Sequence, residues 1–338
     1  MFDTDRRSFL ATIGIGAFSG LGHSADFAFA DEAGSKQQRQ IAFTRKPTEL
    51  EITIGGRPFA TYVFRDEKIL RPFFANVFSP SGIQATRSHP PRNGQDLTDH
   101  ATMHPGIWLA FGDISGADFW RNKARVEHVG FTRQLTDATD SATFSVRNRY
   151  TSGEKTICTE TCRHTIHIRP NGYLLVYDST FTGEMPFTFG DQEEMGLGVR
   201  IASPLRVQGG QGRIQNSAGL QDEKQVWGKT SDWCDYSGIT NKQRVGMLLM
   251  PHPENFRASW FHARDYGFVA ANPFGRMAFT RGEKSQVVVK QGETLRLRFG
   301  VLIHSEPEGL SIDGKSAFAD YLKVESVPAK TSPLPDDQ

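Results

Sequence analysis

The feature that most constrains the fold is a series of short segments in which apolar and polar residues alternate, while helical periodicity is almost absent. Alternation with a period of two places successive side chains on opposite faces of a strand, so that one face can pack on a core. The strand-like segments are residues 50–64, 142–151, 155–168, 172–182, 244–251, 276–282 and 286–304. Turn-forming dipeptides separate them, and Pro170-Asn171-Gly172 indicates a tight hairpin. The chain is therefore predicted to be all-β, a large antiparallel β-sandwich with long loops.

The first thirty residues have the features of an export signal. The twin arginines Arg6 and Arg7 precede a moderately apolar stretch, which closes on the small-x-small pattern Ala28-Phe29-Ala30. Twin arginines indicate Tat export, so we expect a periplasmic or secreted protein. The apolar stretch is shorter than the roughly 20 residues that a membrane span needs, and no other run approaches that length. The mature protein is therefore expected to lack a membrane span.

One segment, residues 314–324, has helical periodicity. It places Phe318, Tyr321 and Leu322 on one face, which predicts a short C-terminal helix. No repeat or linker divides the rest of the chain. The expected organisation is a Tat-type signal peptide at residues 1–30, a flexible segment at 31–44, a single β-sandwich domain at 45–325 and a disordered tail at 326–338.

Several function classes are disfavoured by the sequence. The net charge is +1 with both signs interspersed, which gives no indication of a nucleic-acid partner. The dinucleotide-binding glycine fingerprint, the phosphate-binding loop, the zinc-protease motif and the serine nucleophile elbow are all missing. No cofactor is predicted, although a divalent metal stays open as an alternative.

Four loop-like blocks interrupt the strand pattern and carry most of the unusual chemistry. They cover residues 86–120, 189–201, 226–238 and 251–267. All five tryptophans lie in or beside them: Trp108, Trp120, Trp227, Trp233 and Trp260. Flat rings can stack on the C–H faces of a sugar while polar neighbours bind its hydroxyl groups, and clustered apolar groups on a surface usually mark binding. The blocks therefore predict a shared sugar-binding cleft, the alternative being that the tryptophans plug the ends of the sandwich.

Histidines in these blocks are the candidate acid–base groups, because imidazole titrates near neutral pH. The candidates are His100, His104 and His262. The spacing of His100 and His104 would suit two metal ligands on a helix, but Pro105 and Gly106 disfavour a helix there.

Glu193 and Glu194 form the most enzyme-like carboxylate pair. Adjacent residues of a strand point to opposite faces, so only one of them can enter a given cleft. We take Glu194 as the carboxylate partner of the histidines. The remaining candidates would bind substrate, with Arg200 able to hold a carboxylate through two hydrogen bonds. The predicted substrate-binding residues are Arg87, Trp108, Arg200, Trp227, Lys229, Trp233, Asp235, Asn255 and Trp260.

Six stretches, in this order, resemble the DUF6807 family, which is often labelled "PmoA family" in bacterial genomes. They are RPFFANVFSPSG, DHATMHPGIWLAFGDISGADFW, GVRIASPL, DWCDYSG, PHPENFRASWFHARDYGFVAANPF and LRLRFGVLIH. The resemblance covers roughly residues 45–325. It implies a fold similar to the galactose mutarotase-like supersandwich and a role in carbohydrate catabolism. Many relatives read Asp-His-Pro-His-His-Arg-Ser where this chain has Asp99 to Pro105, so two histidines are kept here rather than three.

The family label borrows the name of an integral membrane subunit of methane monooxygenase. Because the mature chain is expected to have no span, we reject methane oxidation. The first hypothesis is an exported enzyme that acts on a glycoside or modified sugar by histidine–carboxylate chemistry, as a hydrolase, lyase or epimerase. The alternatives are a non-catalytic sugar-binding protein and a metal-dependent enzyme using His100 and His104. The first hypothesis predicts one cleft lined by His100, His104, Glu194, Trp233 and His262.

Overall fold

A computed structural model describes residues 37–324. The predicted signal peptide and tail, and residues 31–36 of the predicted flexible segment, lie outside the described residues. The strands are β1 (Gln40–Arg45), β2 (Glu49–Ile54), β3 (Arg57–Val63), β4 (Phe73–Ala75), β5 (Ile107–Phe111), β6 (Arg125–Phe131), β7 (Ala138–Thr139), β8 (Ser141–Ser152), β9 (Lys155–Arg169), β10 (Gly172–Thr182), β11 (Phe187–Phe189), β12 (Met195–Arg200), β13 (Gly212–Asn216), β14 (Cys234–Thr240), β15 (Gln243–Pro251), β16 (Trp260–Arg264), β17 (Phe268–Asn272), β18 (Val287–Val289) and β19 (Leu295–Pro307). The α-helices are α1 (Asp222–Val226), α2 (Arg276–Thr280) and α3 (Gly314–Leu322), and a 3₁₀ turn covers Ser203–Leu205.

The strands form two large antiparallel sheets and one small one. The first sheet has the order β16-β17-β12-β5-β4-β3-β2-β1-β7, and the second has the order β13-β14-β15-β19-β10-β9-β8-β6. Strands β11 and β18 pair separately. The predicted hairpin is confirmed, since Gly172 pairs with Arg169 across the turn. A Cβ atom on Gly172 would lie 2.6 Å from the Ile303 carbonyl oxygen, so glycine lets β10 start against β19.

The alternating pattern sorts side chains between the core and the outer face of each sheet. In β5, Ile107, Leu109 and Phe111 belong to the core between the sheets, which also contains residues of β10 such as Tyr177. Trp108 points the other way and joins a separate apolar cluster on the outer face of the first sheet. Removing apolar surface from water is the main force that holds the two sheets together. The predicted all-β sandwich is confirmed.

Helix α3 covers the outer face of the second sheet, and the predicted C-terminal helix is confirmed. The Asp313 side chain caps it by accepting a hydrogen bond from the Ser316 N–H. Tyr321 is buried against Gly300, whereas Leu322 is 39% exposed and lies off the packed face. Within residues 37–324, no helix is long and apolar enough to cross a membrane.

Two expectations about local structure are wrong. Residues 40–44 were expected to be flexible, but they belong to β1, which pairs with β2 from Ile41 opposite Ile54. A strand is expected at residues 276–282, but the structure has helix α2 there. The Asp191 carboxylate accepts hydrogen bonds from the N–H groups of Met277 and Ala278 at the start of this helix. These tertiary contacts override the local alternation, which is a weak signal in so short a segment.

Candidate active site

The candidate site lies on the outer face of the first sheet, where β16, β17, β12 and β5 are neighbours. Strand pairing aligns His262 with Ala270, Ala270 with Gly198, and Gly198 with Trp108. Paired residues on neighbouring strands point to the same face, so these four form one row across the sheet. A Cβ atom on Gly198 would lie 2.7 Å from the Trp108 ring. Glycine at this position therefore leaves room for the ring above β12.

The next row of the same face contains Arg264, Phe268 and Arg200. The Phe268 ring stacks on His104 with a centroid distance of 4.5 Å, and it meets His262 edge-on at 5.0 Å. Phe268 is fully buried. One aromatic ring thus contacts two of the predicted catalytic histidines, although they come from loop blocks far apart in the sequence.

His100 forms a dyad with Asp99 at the surface of this site. The His100 Nδ1 lies 2.8 Å from one carboxylate oxygen of Asp99, and Arg200 donates to the other at 2.7 Å. The His100 ring stacks on His104 at 4.8 Å and lies parallel to Tyr266 at 6.0 Å. His100 has a left-handed backbone, with φ of +49°, and its side chain is 40% exposed. Since Asp99 occupies Nδ1, Nε2 is the nitrogen that can meet a ligand.

Arg87 holds the loop that carries this dyad. Its guanidinium donates hydrogen bonds to the carbonyl oxygens of Leu97, Asp99, His100 and His104. Arg87 is 1% exposed. Arg87 was predicted to bind substrate, but its guanidinium is instead hydrogen-bonded to these backbone carbonyls. Arg200, predicted to hold a substrate carboxylate, is also buried, and its guanidinium pairs with Asp99 and covers the Tyr266 ring at 4.6 Å. Both arginines therefore position the His100 loop.

His104 lies beneath His100 and is 4% exposed. Its ring is packed between the His100, Phe268 and Trp108 rings, the last at 5.1 Å. Burial, reinforced by the positive charge of Arg200, holds the pKa of His104 well below its usual value. His104 is therefore neutral at pH 7 and supports the ring above it, whereas His100 is the accessible histidine of the pair.

The second histidine–carboxylate pair is His262 with Glu193. The His262 Nδ1 lies 3.4 Å from the Glu193 carbonyl oxygen, and Nε2 lies 3.5 Å from the Glu193 carboxylate. Arg264 approaches the same carboxylate oxygen at 3.5 Å. Burial lowers the pKa of His262 to about 3, so the ring is neutral at pH 7. Burial also raises the pKa of Glu193, with the Arg264 charge opposing the rise.

Glu194 was predicted to be the carboxylate partner of the histidines, and this is corrected by the structure. Glu194 forms an ion pair with Arg121, while Glu193 is the residue beside His262. Both residues lie in the bend directly before β12, and from there their side chains reach different partners. Sequence alone does not decide which of the two side chains faces the histidines, because the motif reads the same in both cases.

Asn272 anchors the loop that carries Glu193, and sequence reasoning missed it. Its amide donates to the carbonyl oxygens of Gln192 and Glu193 at 2.7 and 3.0 Å. Its side-chain oxygen accepts the N–H groups of Phe274 and Gly275 at 2.7 and 3.1 Å. Asn272 is fully buried. The available signal was an asparagine directly before Pro-Phe-Gly, a setting in which Asn side chains commonly bond the following backbone.

The five tryptophans do not form one platform. Trp108 and Trp120 are buried in the outer-face apolar cluster. Trp227 and Trp260 lie against Phe279 at the edge of the first sheet, with centroid distances of 5.3 and 6.4 Å. The Arg264 guanidinium lies 5.9 Å above the Trp227 ring, which is partly exposed. Trp227 is thus linked to the His262–Glu193 pair through Arg264, which contacts both the Trp227 ring and the Glu193 carboxylate.

Three other predicted ligand contacts lie on the second sheet, away from this site. Trp233 packs against Gly314, under helix α3. Asp235 is buried and bonded to His304, and Asn255 is bonded to the backbone of Arg298. The predicted cleft containing Trp233 is therefore wrong, because β14 belongs to the second sheet and Asn255 is bonded to β19 of that sheet. Lys229 is exposed, and its carbonyl accepts a hydrogen bond from the Phe261 N–H at the edge of β16.

The geometry of His100 and His104 disfavours their joint use as metal ligands. Their rings are stacked with planes only 20° apart. Imidazole lone pairs lie in the ring plane, so two parallel stacked rings do not converge on one ion. Across residues 37–324, no three His, Cys, Asp or Glu side chains are grouped so that they could hold a metal ion.

Together, fold and site define a two-sheet antiparallel β-sandwich with two histidine–carboxylate pairs on one outer face. Residues 49–311 match the model of the family described as a family of unknown function, DUF6807. The chain belongs to this family. No curated protein matches it by sequence.

Solved structures with a similar arrangement were also found. The GH36 alpha-galactosidase AgaB from Geobacillus stearothermophilus is 11% identical with a TM-score of 0.39, over 79% of this chain and 41% of that one. This chain therefore spans less than half of that enzyme. A galactose mutarotase-like protein from Lactobacillus casei is 11% identical with a TM-score of 0.38, over 78% of this chain and 100% of that one. A galactose mutarotase-like protein from Clostridium acetobutylicum is 10% identical with a TM-score of 0.40, over 79% and 98%.

Proposed function

We propose that this protein is a carbohydrate-active enzyme that acts on a glycoside or modified sugar by acid–base catalysis. The observation that carries the proposal is the pairing of two histidines with two carboxylates on one face of one sheet: His100 with Asp99, and His262 with Glu193. In the first pair both side chains are partly exposed, His100 by 40% and Asp99 by 35%, and Asp99 is engaged by Arg200; in the second pair only Glu193, at 35%, is accessible. His100 and Glu193 are therefore the accessible groups with a free atom for a ligand. These two are the groups that would meet a substrate.

His100 has the properties of a general base. Asp99 accepts a hydrogen bond at Nδ1, which leaves the Nε2 lone pair free to take a proton from a substrate hydroxyl or carbon. The imidazolium that forms would be stabilised by the adjacent Asp99 carboxylate, which Arg200 holds in place.

Glu193 has the complementary properties of a general acid. Burial raises its pKa in spite of the opposing charge of Arg264, and the neutral His262 beside it adds no further positive charge. A carboxylic acid that keeps its proton closer to neutral pH can deliver it to a leaving oxygen. His262 is therefore a positioning residue for Glu193.

Aromatic faces next to charged hydrogen-bonding groups support a sugar as substrate. Trp227 and Tyr266 are both partly exposed, and each ring lies beside an arginine of the site. A sugar ring presents C–H faces to such rings and hydroxyl groups to the charged neighbours. The family resemblance points to the same substrate class.

The test is an activity panel with purified protein. Release of 4-nitrophenol from nitrophenyl glycosides reports a hydrolase, unsaturated products from uronate polymers report a lyase, and NMR of pure sugar anomers or epimers reports an epimerase.

With the responding substrate, His100→Gln and Glu193→Gln should each lower kcat by about 10²- to 10⁴-fold. Glu194→Gln is the matched control and should retain kcat within a few fold. Turnover that survives in both His100→Gln and Glu193→Gln would overturn the proposal. Saturable sugar binding without turnover of any panel member would instead support the non-catalytic alternative.

We also propose export by the Tat route, supported by Arg6, Arg7 and the Ala28-Phe29-Ala30 pattern. Full-length protein produced in a bacterium with a functional Tat system should appear in the periplasmic fraction. Replacing both arginines with lysine should hold it in the cytoplasm. Equal periplasmic amounts of the two forms would contradict the proposal.

A further inference from the structure

A cavity lies away from the His100 and Glu193 pairs, between the chain that follows β3 and the first residues of β6. Its volume is about 370 Å³, and residues 64–66, 69–71 and 125–128 line it. We call it the arginine pocket. The Val126 N–H donates to the Leu70 carbonyl oxygen at 2.7 Å, which ties the loop to the strand. The volume falls in the range of small-molecule sites.

The charges around the arginine pocket are unbalanced. Of its two acids, Asp66 accepts the N–H groups of Lys68 and Ile69, and Glu127 is held by Arg149. The exposed guanidinium groups of Arg65 and Arg125 form no ion pair with any carboxylate of residues 37–324. Arg65 and Arg125 at the mouth of the cavity are therefore unpaired in the described part of the chain, and the three arginines of the lining outnumber its two acids, Asp66 and Glu127.

A third guanidinium, that of the buried Arg71, adds to the positive charge around the arginine pocket. Arg71 is 2% exposed and donates to the carbonyl oxygens of Met103, Phe119 and Trp120, and to the Asn122 side chain, but to no carboxylate. Burial lowers the pKa of Arg71 to about 9, so it is still charged at pH 7. A buried charge without a paired carboxylate attracts an anion more strongly than an exposed one, because it is less screened by solvent.

His128 is the polar group at the inner wall. It is 4% exposed, its ring lies 4.6 Å from that of Phe64, and neither ring nitrogen has a hydrogen-bond partner of good geometry within residues 37–324. Burial, with the nearby charge of Arg65, lowers the pKa of His128 to about 4. The Asn148 side chain is a neighbour of this ring and opposes the lowering of its pKa, but the contact is poorly aligned. A buried imidazole without a well-formed hydrogen bond beside a cavity is an incomplete arrangement that a bound polar group would complete.

The remaining walls are apolar. Phe64, Ile69, Leu70 and Val126 form them. One water occupies about 30 Å³ in the liquid, and the volume of the cavity is roughly twelve times that value. The cavity is therefore much larger than an inorganic ion requires. We propose that the arginine pocket binds a small organic carboxylate, whose apolar part contacts these walls and whose carboxylate is held by Arg65 and Arg125. Guanidinium groups match the planar geometry of a carboxylate.

Benzoate is a suitable probe, because benzamide has nearly the same shape without the charge. We expect benzoate to bind saturably at pH 7, as followed by NMR of the His128 ring, and its negative charge to raise the pKa of that ring. Benzamide should cause neither change. Inorganic phosphate, which lacks an apolar part, should bind more weakly than benzoate.

Variants locate the site. Arg65→Gln combined with Arg125→Gln should weaken benzoate binding at least about tenfold. Arg147→Gln removes an exposed arginine of β8 that does not line the pocket, and it should bind benzoate as the unmodified protein does. Equal binding of benzamide and benzoate, or an unchanged affinity in the double variant, would overturn the proposal. So would the absence of any saturable effect of benzoate on His128.

Discussion

His304 lies between two carboxylates on the outer face of the second sheet. Its Nδ1 is 2.8 Å from Glu306 and its Nε2 is 2.8 Å from Asp235. Burial lowers the pKa of His304, but the two carboxylates outweigh it and raise the pKa to about 9. The ring is therefore a buried imidazolium at pH 7, unlike the neutral His104 and His262. The same residue type thus takes opposite charge states in one protein, depending only on its neighbours.

This charge state makes stability depend on pH. A folded-state pKa of about 9 lies above the unfolded value of 6.5, so the stabilisation is complete below pH 6.5 and is lost as pH rises through 9. Its size is on the order of 3 kcal/mol. Urea unfolding between pH 6 and 10 should show this loss, and an NMR titration should place the His304 pKa near 9.

A neutral histidine provides the control for His304. Burial lowers the pKa of His167 to about 4, so His167→Gln should leave the slope between pH 6.5 and 9 unchanged. His304→Gln should flatten that slope. A measured His304 pKa at or below 7 would show that the carboxylates do not stabilise the imidazolium.

At the scale of elements, the position of Glu193 depends on a contact between β17 and the loop before β12. Asn272, at the end of β17, makes two hydrogen bonds to that loop and two to the segment that leads into α2. One buried side chain therefore connects the Glu193 loop to helix α2. The helix itself depends on the tertiary contacts of Asp191, which explains why local alternation indicated a strand there.

Asn272→Ala should lower the free energy of unfolding by about 2–4 kcal/mol, because buried backbone groups on both sides lose their partners. Hydrogen exchange should become faster at the N–H groups of Phe274 and Gly275. Asn272→Asp separates the two halves of the contact, since it keeps the acceptor for these N–H groups but removes the donor to the Glu193 loop. Chemical unfolding of Asn272→Ala at the wild-type midpoint would contradict this account.

At the scale of the whole molecule, the two sheets have outer faces with different roles. The first carries the histidine–carboxylate pairs, and the second is covered by helix α3 and carries the His304 network. Trp227 borders the first face, and Trp233 lies under α3 on the second. Two tryptophans only six residues apart in the sequence therefore belong to opposite sides of the sandwich.

This separation predicts different effects of two similar substitutions. Trp233→Ala should lower the free energy of unfolding by about 2–4 kcal/mol, since it removes a ring packed under α3, while kcat/KM stays within a few fold. If the proposed function holds, Trp227→Ala should lower kcat/KM about tenfold, because the proposed stacking face next to Arg264 is lost. Thermal unfolding and turnover, measured on both variants, test these two predictions. Loss of turnover in Trp233→Ala with unchanged stability would contradict this account, because it would place the active site on the second sheet.

The sequence by itself determined the all-β class, the β9–β10 hairpin, the C-terminal helix and the family. Each depends on local spacing or on motifs that are contiguous in the chain. It also identified the blocks that contain His100, His104 and His262, because these residues are unusual for turns between strands.

Only the tertiary structure decided which sheet each block joins and which member of a pair faces the site. Alternation assigns a side chain to one face of its own strand, but it does not say which strands that strand pairs with. The 226–238 block therefore places Trp227 beside β16 and Asp235 on β14 of the other sheet. The choice of Glu193 over Glu194, and of the exposed His100 over the buried His104, depends on contacts with Arg264, Arg121 and Phe268. These contacts join residues that are distant in the sequence, and they exist only once both sheets have formed.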